Sequence, residues 1–144
     1  MIAKANKSHS RILAEMAAKV WENDDIEELT VEFDEFATDP NMVSFIYYAD
    51  ETEVGFANCA LRFDYVEGCE TRPVGYLEGI YVDPNHQKQG IAKALVKACE
   101  DWASEMGCTE FASDCELKYI DSLDFHLAVG FEETNRIICF KKEI

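Results

Sequence analysis

The segment Val82-Asp83-Pro84-Asn85-His86-Gln87-Lys88-Gln89-Gly90-Ile91-Ala92 joins a β-rich apolar run to a helix-periodic one through a polar loop with a single glycine. Such a junction aims several unpaired main-chain N–H groups at one spot, and the positive end of the helix dipole adds to them. The chemistry this suits is holding a pyrophosphate, with Gly90 allowing close approach to the backbone. A plain capping turn would also place a glycine there. The chain carries 29 Asp+Glu against 13 Lys+Arg, a formal charge of −16, so backbone donors rather than net charge would have to bind an anion. The same charge repels phosphate backbones and anionic headgroups and attracts polycations, which excludes nucleic acid and membrane surfaces as partners.

These residues need elements to hold them. At 144 residues, 48% hydrophobic and 12% aromatic, the chain is expected to form one domain, 1–144, with a real core. No apolar run reaches about 18 residues and Met1–Arg11 has no signal-peptide core, so a soluble cytoplasmic protein is expected. The six cysteines show no zinc-ligand spacing; no metal is expected, and Cys59, Cys99 and Cys139, in apolar runs, are expected to be buried. Ile12, Leu13, Met16, Ala17, Val20 and Trp21 predict a first amphipathic helix behind the caps Ser8 and Ser10; Ile26, Leu29, Phe33 and Phe36 predict a second with an acidic solvated face. Val43–Ala49 and Val54–Phe63 predict a hairpin about Asp50-Glu51-Thr52, followed by a loop over 64–73. Gly75–Val82, a helix from Gly90 to Met106 and a short strand Glu110–Ser113 predict a parallel crossover unit. A helix Ser122–Val129 and a last strand Asn135–Lys142 complete a mixed α/β architecture.

Gln87-x-x-Gly90-x-Ala92, after a strand ending Val82-Asp83-Pro84, resembles the acyl-CoA signature Gln/Arg-x-x-Gly-x-Gly/Ala of the Gcn5-related N-acetyltransferase (GNAT) superfamily. The element order and the late turn Ala128-Val129-Gly130-Phe131 extend the resemblance across nearly the whole chain. Leu61–Val66, Pro73–Val82 and Thr109–Asp114 resemble, more narrowly, the aminoglycoside 6′-N-acetyltransferases. The resemblance implies a GNAT-like fold, a central mixed sheet flanked by helices. It implies acetyl transfer from acetyl-CoA to the 6′-amine of aminoglycoside antibiotics, by a cytoplasmic homodimer that confers resistance.

By family position, Ile80, Tyr81 and Val82 would lie along the pantetheine arm, and Lys88, Gln89, Gly90, Ile91, Ala92 and Lys93 would hold the pyrophosphate. Trp21, Tyr65, Glu78 and Asp114 match positions that line the aminoglycoside site. Three positions depart from the pattern. His126 stands where many members have a tyrosine that protonates the leaving thiolate, Tyr119 where related enzymes have a CoA-contacting asparagine, and Asn135 where they have a glutamate that reaches a neighbouring subunit's substrate.

Amine acetylation needs a neutral amine, a thioester carbonyl held beside it and a donor for the oxyanion formed on attack. An N–H on Gly79–Val82, with Gly79 marking a bulge, is the candidate oxyanion donor, and no covalent enzyme intermediate is needed. Glu78 and Asp114, expected at or beside strand ends of the crossover unit, suit a cationic acceptor: they would bind it first and relay its proton second. Trp21 and Tyr65 could stack on sugar rings or attract ammonium groups, although periodicity alone makes Trp21 a core residue. Two rival readings keep the fold: acetylation of polyamines or protein amines, and a non-catalytic acyl-CoA-binding regulator.

Overall fold

A computed structural model describes residues 1–144. Asn6, not Ser8 or Ser10, opens the first helical region: its side-chain oxygen accepts from the Ser8 N–H at 2.9 Å, at the head of a 3-10 turn over Lys7–His9. Ser10 lies inside the helix, its hydroxyl turned back to the Lys7 carbonyl. Helix α1, Ser10–Ala17, buries Leu13, Ala14, Met16 and Ala17 along one face. It stops four residues before Trp21, whose N–H closes back on the Ala17 carbonyl at 2.8 Å, so Trp21 stands in the connecting turn and not in the helix. Asp25 then caps α2, Ile26–Thr38, by accepting from the Glu28 N–H at 3.1 Å.

The sheet has five strands in the order β1-β2-β3-β4-β5, namely Ile2–Lys4, Met42–Ala49, Thr52–Arg62, Val74–Val82 and Phe111–Ala112. The first four pair antiparallel and β5 joins β4 in parallel through helix α3, Ile91–Glu105. β1 has no counterpart in the sequence reading, since three residues carry too little periodicity to announce a strand. β3 is buried without a break from Val54 to Leu61, which marks it as the central strand covered on both faces.

One face of the sheet packs on α3, with Val43, Ala57, Cys59, Leu77, Leu95, Val96 and Cys99 in the contact. The other receives α1 and α2 through Leu13, Met16, Leu29, Phe33, Ile46 and Phe56. At about 1.5–3 kcal/mol for each large side chain buried, either layer outweighs the local propensities beneath it. Helix α4, Ile120–Ala128, follows β5.

Two expectations fail beyond α4. Residues 135–142 form no strand, and Ile137, Ile138 and Phe140 are 62%, 78% and 90% exposed. Alternating apolar residues favour an extended chain, but within this chain no strand is paired with them. Cys139 is therefore exposed, as is Cys115; Cys59, Cys99 and Cys108 are buried, and all six thiols are free.

Candidate active site

The parallel pair β4–β5 is short. It holds only Gly75 against Phe111 and Tyr76 against Ala112, after which the strands part and β4 runs on alone to Val82. From Leu77 to Val82 that edge of β4 has no strand beside it, while the other edge remains paired with β3. A wedge opens between the two strands, with unpaired main-chain groups along one wall.

Within the wedge β4 carries a bulge. Asn58 pairs with Gly79 and Cys59 with Leu77, so Glu78 is the extra residue. From the sequence the irregularity is expected at Gly79 and Glu78 near a strand end; the structure puts Glu78 in the interior of β4, at the bulge itself. Gly79 is needed for space: a Cβ there would come within 2.8 Å of the Trp21 indole nitrogen. Trp21 is thus held against the bulge on one side and stacked on Phe33 on the other, with ring centroids 5.7 Å apart. The core packing expected from periodicity is therefore present, and the indole also borders Gly79.

The carboxylates are already partnered. Glu78 takes a two-pronged ion pair from Arg62 at the end of β3, Nε to Oε1 at 3.0 Å and Nη2 to Oε2 at 2.9 Å. The Arg62 guanidinium lies 3.5 Å over the centre of the Tyr76 ring, and the Tyr76 hydroxyl donates to Asp114, just beyond β5. Burial, then the hydrogen bond to Asp114, pushes the Tyr76 phenol well above its ordinary value, so it stays a donor. Arg62 and Tyr76 escaped the sequence reading. The signal for Arg62 was a lone cation closing an otherwise apolar strand run; Tyr76 looked like any strand aromatic.

Tyr65 stands apart from this group. It is 68% exposed on the β3–β4 loop and its hydroxyl donates to Glu67, whose other oxygen accepts from Asn135 at 3.0 Å. Asn135 therefore ties the C-terminal segment to that loop within one chain, and Glu133 is engaged by Arg136. Tyr119 donates to Glu22 at 2.7 Å, joining the start of α4 to the turn that carries Trp21. His126 has both ring nitrogens in use. Nδ1 lies 2.6 Å from the Ser122 carbonyl and must donate to it, while Nε2 lies 2.8 Å from the Ser113 hydroxyl. It thereby holds α4 to the exit of β5, where Ser113 also reaches the Leu77 carbonyl.

At the open end of the wedge β4 leads through Asp83, whose side chain accepts from the Asn85 N–H at 2.8 Å, into a 3-10 turn over Pro84–His86. Gln87 returns its amide to the Val82 carbonyl at 3.3 Å. Lys88 and Gly90 adopt positive φ, 61° and 82°, which turns the chain sharply into α3. The first helical bond there is Ala94 N–H to the Gly90 carbonyl, and the N–H groups of residues 87 to 93 find no acceptor within the chain. A Cβ on Gly90 would point into open space. The Ile91 side chain is buried in the α3 core, so only its main chain can meet a ligand. Ile80 and Val82 pack toward α3 and Tyr81 toward α1.

The wedge can thus offer a row of backbone groups along β4, a nest of N–H donors at its open end and two carboxylates beside the bulge. No group of three or more His, Cys, Asp or Glu is placed to hold a metal, and no helix is long and apolar enough to cross a membrane.

Known proteins are similar to this chain in sequence and in fold. The acetyltransferase (GNAT) family matches residues 10–131. Aminoglycoside N(6′)-acetyltransferase type 1 of Acinetobacter haemolyticus is 35% identical over 143 residues, 99% of this chain and 98% of that one. The enzyme of the same name from Salmonella enteritidis is 36% identical over 141 residues, 98% of this chain and 97% of that one. Among solved structures, aminoglycoside N-acetyltransferase AAC(6′)-Iy in complex with CoA aligns with a TM-score of 0.95 at 35% identity, covering 100% of this chain and 95% of that one. AAC(6′)-Iy in complex with the bisubstrate analogue CoA-S-monomethyl-acetylneamine aligns with a TM-score of 0.94 at 35% identity, covering 100% and 98%.

Proposed function

The chain belongs to the GNAT acetyltransferase family, and from that premise we propose that it transfers acetyl from acetyl-CoA to the 6′-amino group of aminoglycosides. The observation that carries the reading is the wedge itself: a free edge of β4 that ends in seven unpartnered N–H groups, 87 to 93, with Glu78 and Asp114 at its inner end. The near-full-length likeness to 6′-acetylating enzymes favours an amino sugar over a polyamine or a protein amine.

In this reading the pantetheine arm lies along Ile80, Tyr81 and Val82, and the pyrophosphate rests on the N–H groups of Lys88, Gln89, Gly90, Ile91, Ala92 and Lys93. The acceptor's amine enters beside the bulge. Glu78 and Asp114 hold its cationic groups, with Trp21 forming the wall behind Gly79, while Tyr65, exposed on the β3–β4 loop and bonded to Glu67, meets only the part of the acceptor that extends beyond them. Asp114, fixed by the Tyr76 hydroxyl, takes the proton as the neutral amine attacks the thioester directly, and a main-chain N–H at the bulge faces the oxyanion. The acetylated amine loses a charge and a donor, which is the basis of resistance to the drug.

The same reading makes residues 1–144 one acetyltransferase domain that works as a cytoplasmic homodimer. Ile137, Ile138, Phe140 and Ile144 lie exposed along a segment with no strand partner, an apolar surface suited to a second copy. Cytoplasmic residence follows from dependence on acetyl-CoA. The deciding experiment is incubation with acetyl-CoA and a panel of aminoglycosides, with mass spectrometry to locate the acetyl group. Addition at the 6′-nitrogen is expected; transfer to another position, or none, overturns the reading.

A further inference from the structure

The acceptor end of the wedge contains a cation of its own. Arg62 is the last residue of β3, opposite Val74 in the register, and its guanidinium is fixed from two directions. Its central carbon lies 3.5 Å over the centre of the Tyr76 ring, and both prongs of the fork meet the two Glu78 oxygens at 2.9 and 3.0 Å. A bidentate pair uses one lone pair on each carboxylate oxygen and leaves one free on each, so Glu78, whose side chain is 26% exposed, can still accept from a ligand. The groups that bear electrostatically on Arg62 are Glu78 and Tyr76 on β4 and Asp114 beyond β5. Tyr76 is neutral, so the cluster sums to one negative charge: two carboxylates offset by one guanidinium.

That sum matters for a reaction that consumes a neutral amine. An amine beside two uncompensated carboxylates would keep its proton to high pH, bound tightly and unable to attack. Beside a net charge of one it gives up the proton more readily. We propose that Arg62 is a positioning residue that sets the acceptor amine's protonation in the bound complex, by cancelling the charge of Glu78 while holding that carboxylate in place. The proposal rests on the acetyl-transfer reading above and adds to it a determinant of the reaction's pH range. It also accounts for Arg62 in an acceptor site meant for cations, where a lone arginine would otherwise oppose binding.

The experiment is the pH dependence of kcat and of the acceptor's KM for wild type, Arg62→Met and Arg62→Lys with an aminoglycoside. Arg62→Met, which keeps apolar contact with the Tyr76 ring, is expected to move the acid limb of kcat up by about one pH unit. Its KM should fall several-fold, with kcat depressed near pH 7 and restored above the shifted limb. Arg62→Lys keeps the charge and should keep the limb. The double variant Arg62→Met/Glu78→Gln returns the sum to one negative charge and should return the limb to its wild-type position, a rescue that a merely structural role would not give. Arg62→Gln serves in place of Arg62→Met if that variant does not fold. An unmoved limb in the neutral variant, or a kcat loss equal at every pH with a raised KM, overturns the proposal alone. An inactive wild type overturns the parent reading and the proposal with it, and that is seen before any variant is made.

Discussion

In the proposed reading, the donor half and the acceptor half of the wedge are built from different parts of the polypeptide. Between Ile80 and Lys93 the groups proposed to face the donor are main chain: a free strand edge, then N–H groups of a turn and a helix start. Around the bulge they are side chains from three separate places, Arg62, Tyr76 with Glu78, and Asp114, each holding the next. A main-chain site tolerates most substitutions so long as the backbone keeps its path. A side-chain network is retuned by a single change.

The contrast can be tested from its most sensitive point outward. Asp114→Ala removes the carboxylate at the proposed proton-taking position and should lower kcat/KM for the aminoglycoside by about 100-fold or more, within the usual range for a lost acid or base. Its affinity for CoA, read by calorimetry, should be unchanged; a parallel loss of CoA binding would merge the two halves. Gly90→Val acts on the other half. A β-branched residue at φ 82° costs about 1–2 kcal/mol, so the Kd for CoA should rise by about 5- to 30-fold while KM for the acceptor barely moves. An unchanged Kd would remove the turn from the donor site.

The smallest effect lies outside both halves. Glu110 accepts from the Thr71 hydroxyl and from the N–H groups of Thr71 and Glu70 at 2.7 and 2.9 Å. Those contacts, the Thr71 hydroxyl first, hold its carboxyl below the ordinary value. A carboxyl depressed by folding contributes above the unfolded pKa, near 4.5, and the contribution fades as pH falls through the folded one. Amide protection at Glu70 and Thr71 should therefore be full at pH 6, drop a few-fold by pH 3, and drop equally at pH 6 in Glu110→Gln.

The turn into α3 was legible in the sequence because its requirements are local. Gly90, Gln87 and the periodicity of α3 sit within one short stretch, and a turn with positive φ leaves a glycine behind it. The crossover from β4 to β5 was readable for the same reason. Arg62 and Tyr76 were not, because their meaning depends on the antiparallel register that sets the end of β3 beside β4. The bulge slipped by one residue, from Gly79 to Glu78, because a bulge is a property of two strands and the sequence displays one at a time. The strand expected over 135–142 had the right composition and no partner. Composition specifies an extended chain; a partner makes it a strand. Cys139 was misplaced with it, since its burial depended on that sheet.

The free edge of β4 carries a cost. Backbone groups that other strands satisfy with one another are left to water there, in the middle of the fold and not at its margin. A long ligand laid in the gap would act as a temporary strand, joining the α4 side of the molecule to the rest, and at a hundred times its Kd would add about 2.7 kcal/mol to stability. In a cell rich in the thioester, the chain would then be spared proteolysis for as long as it stays loaded.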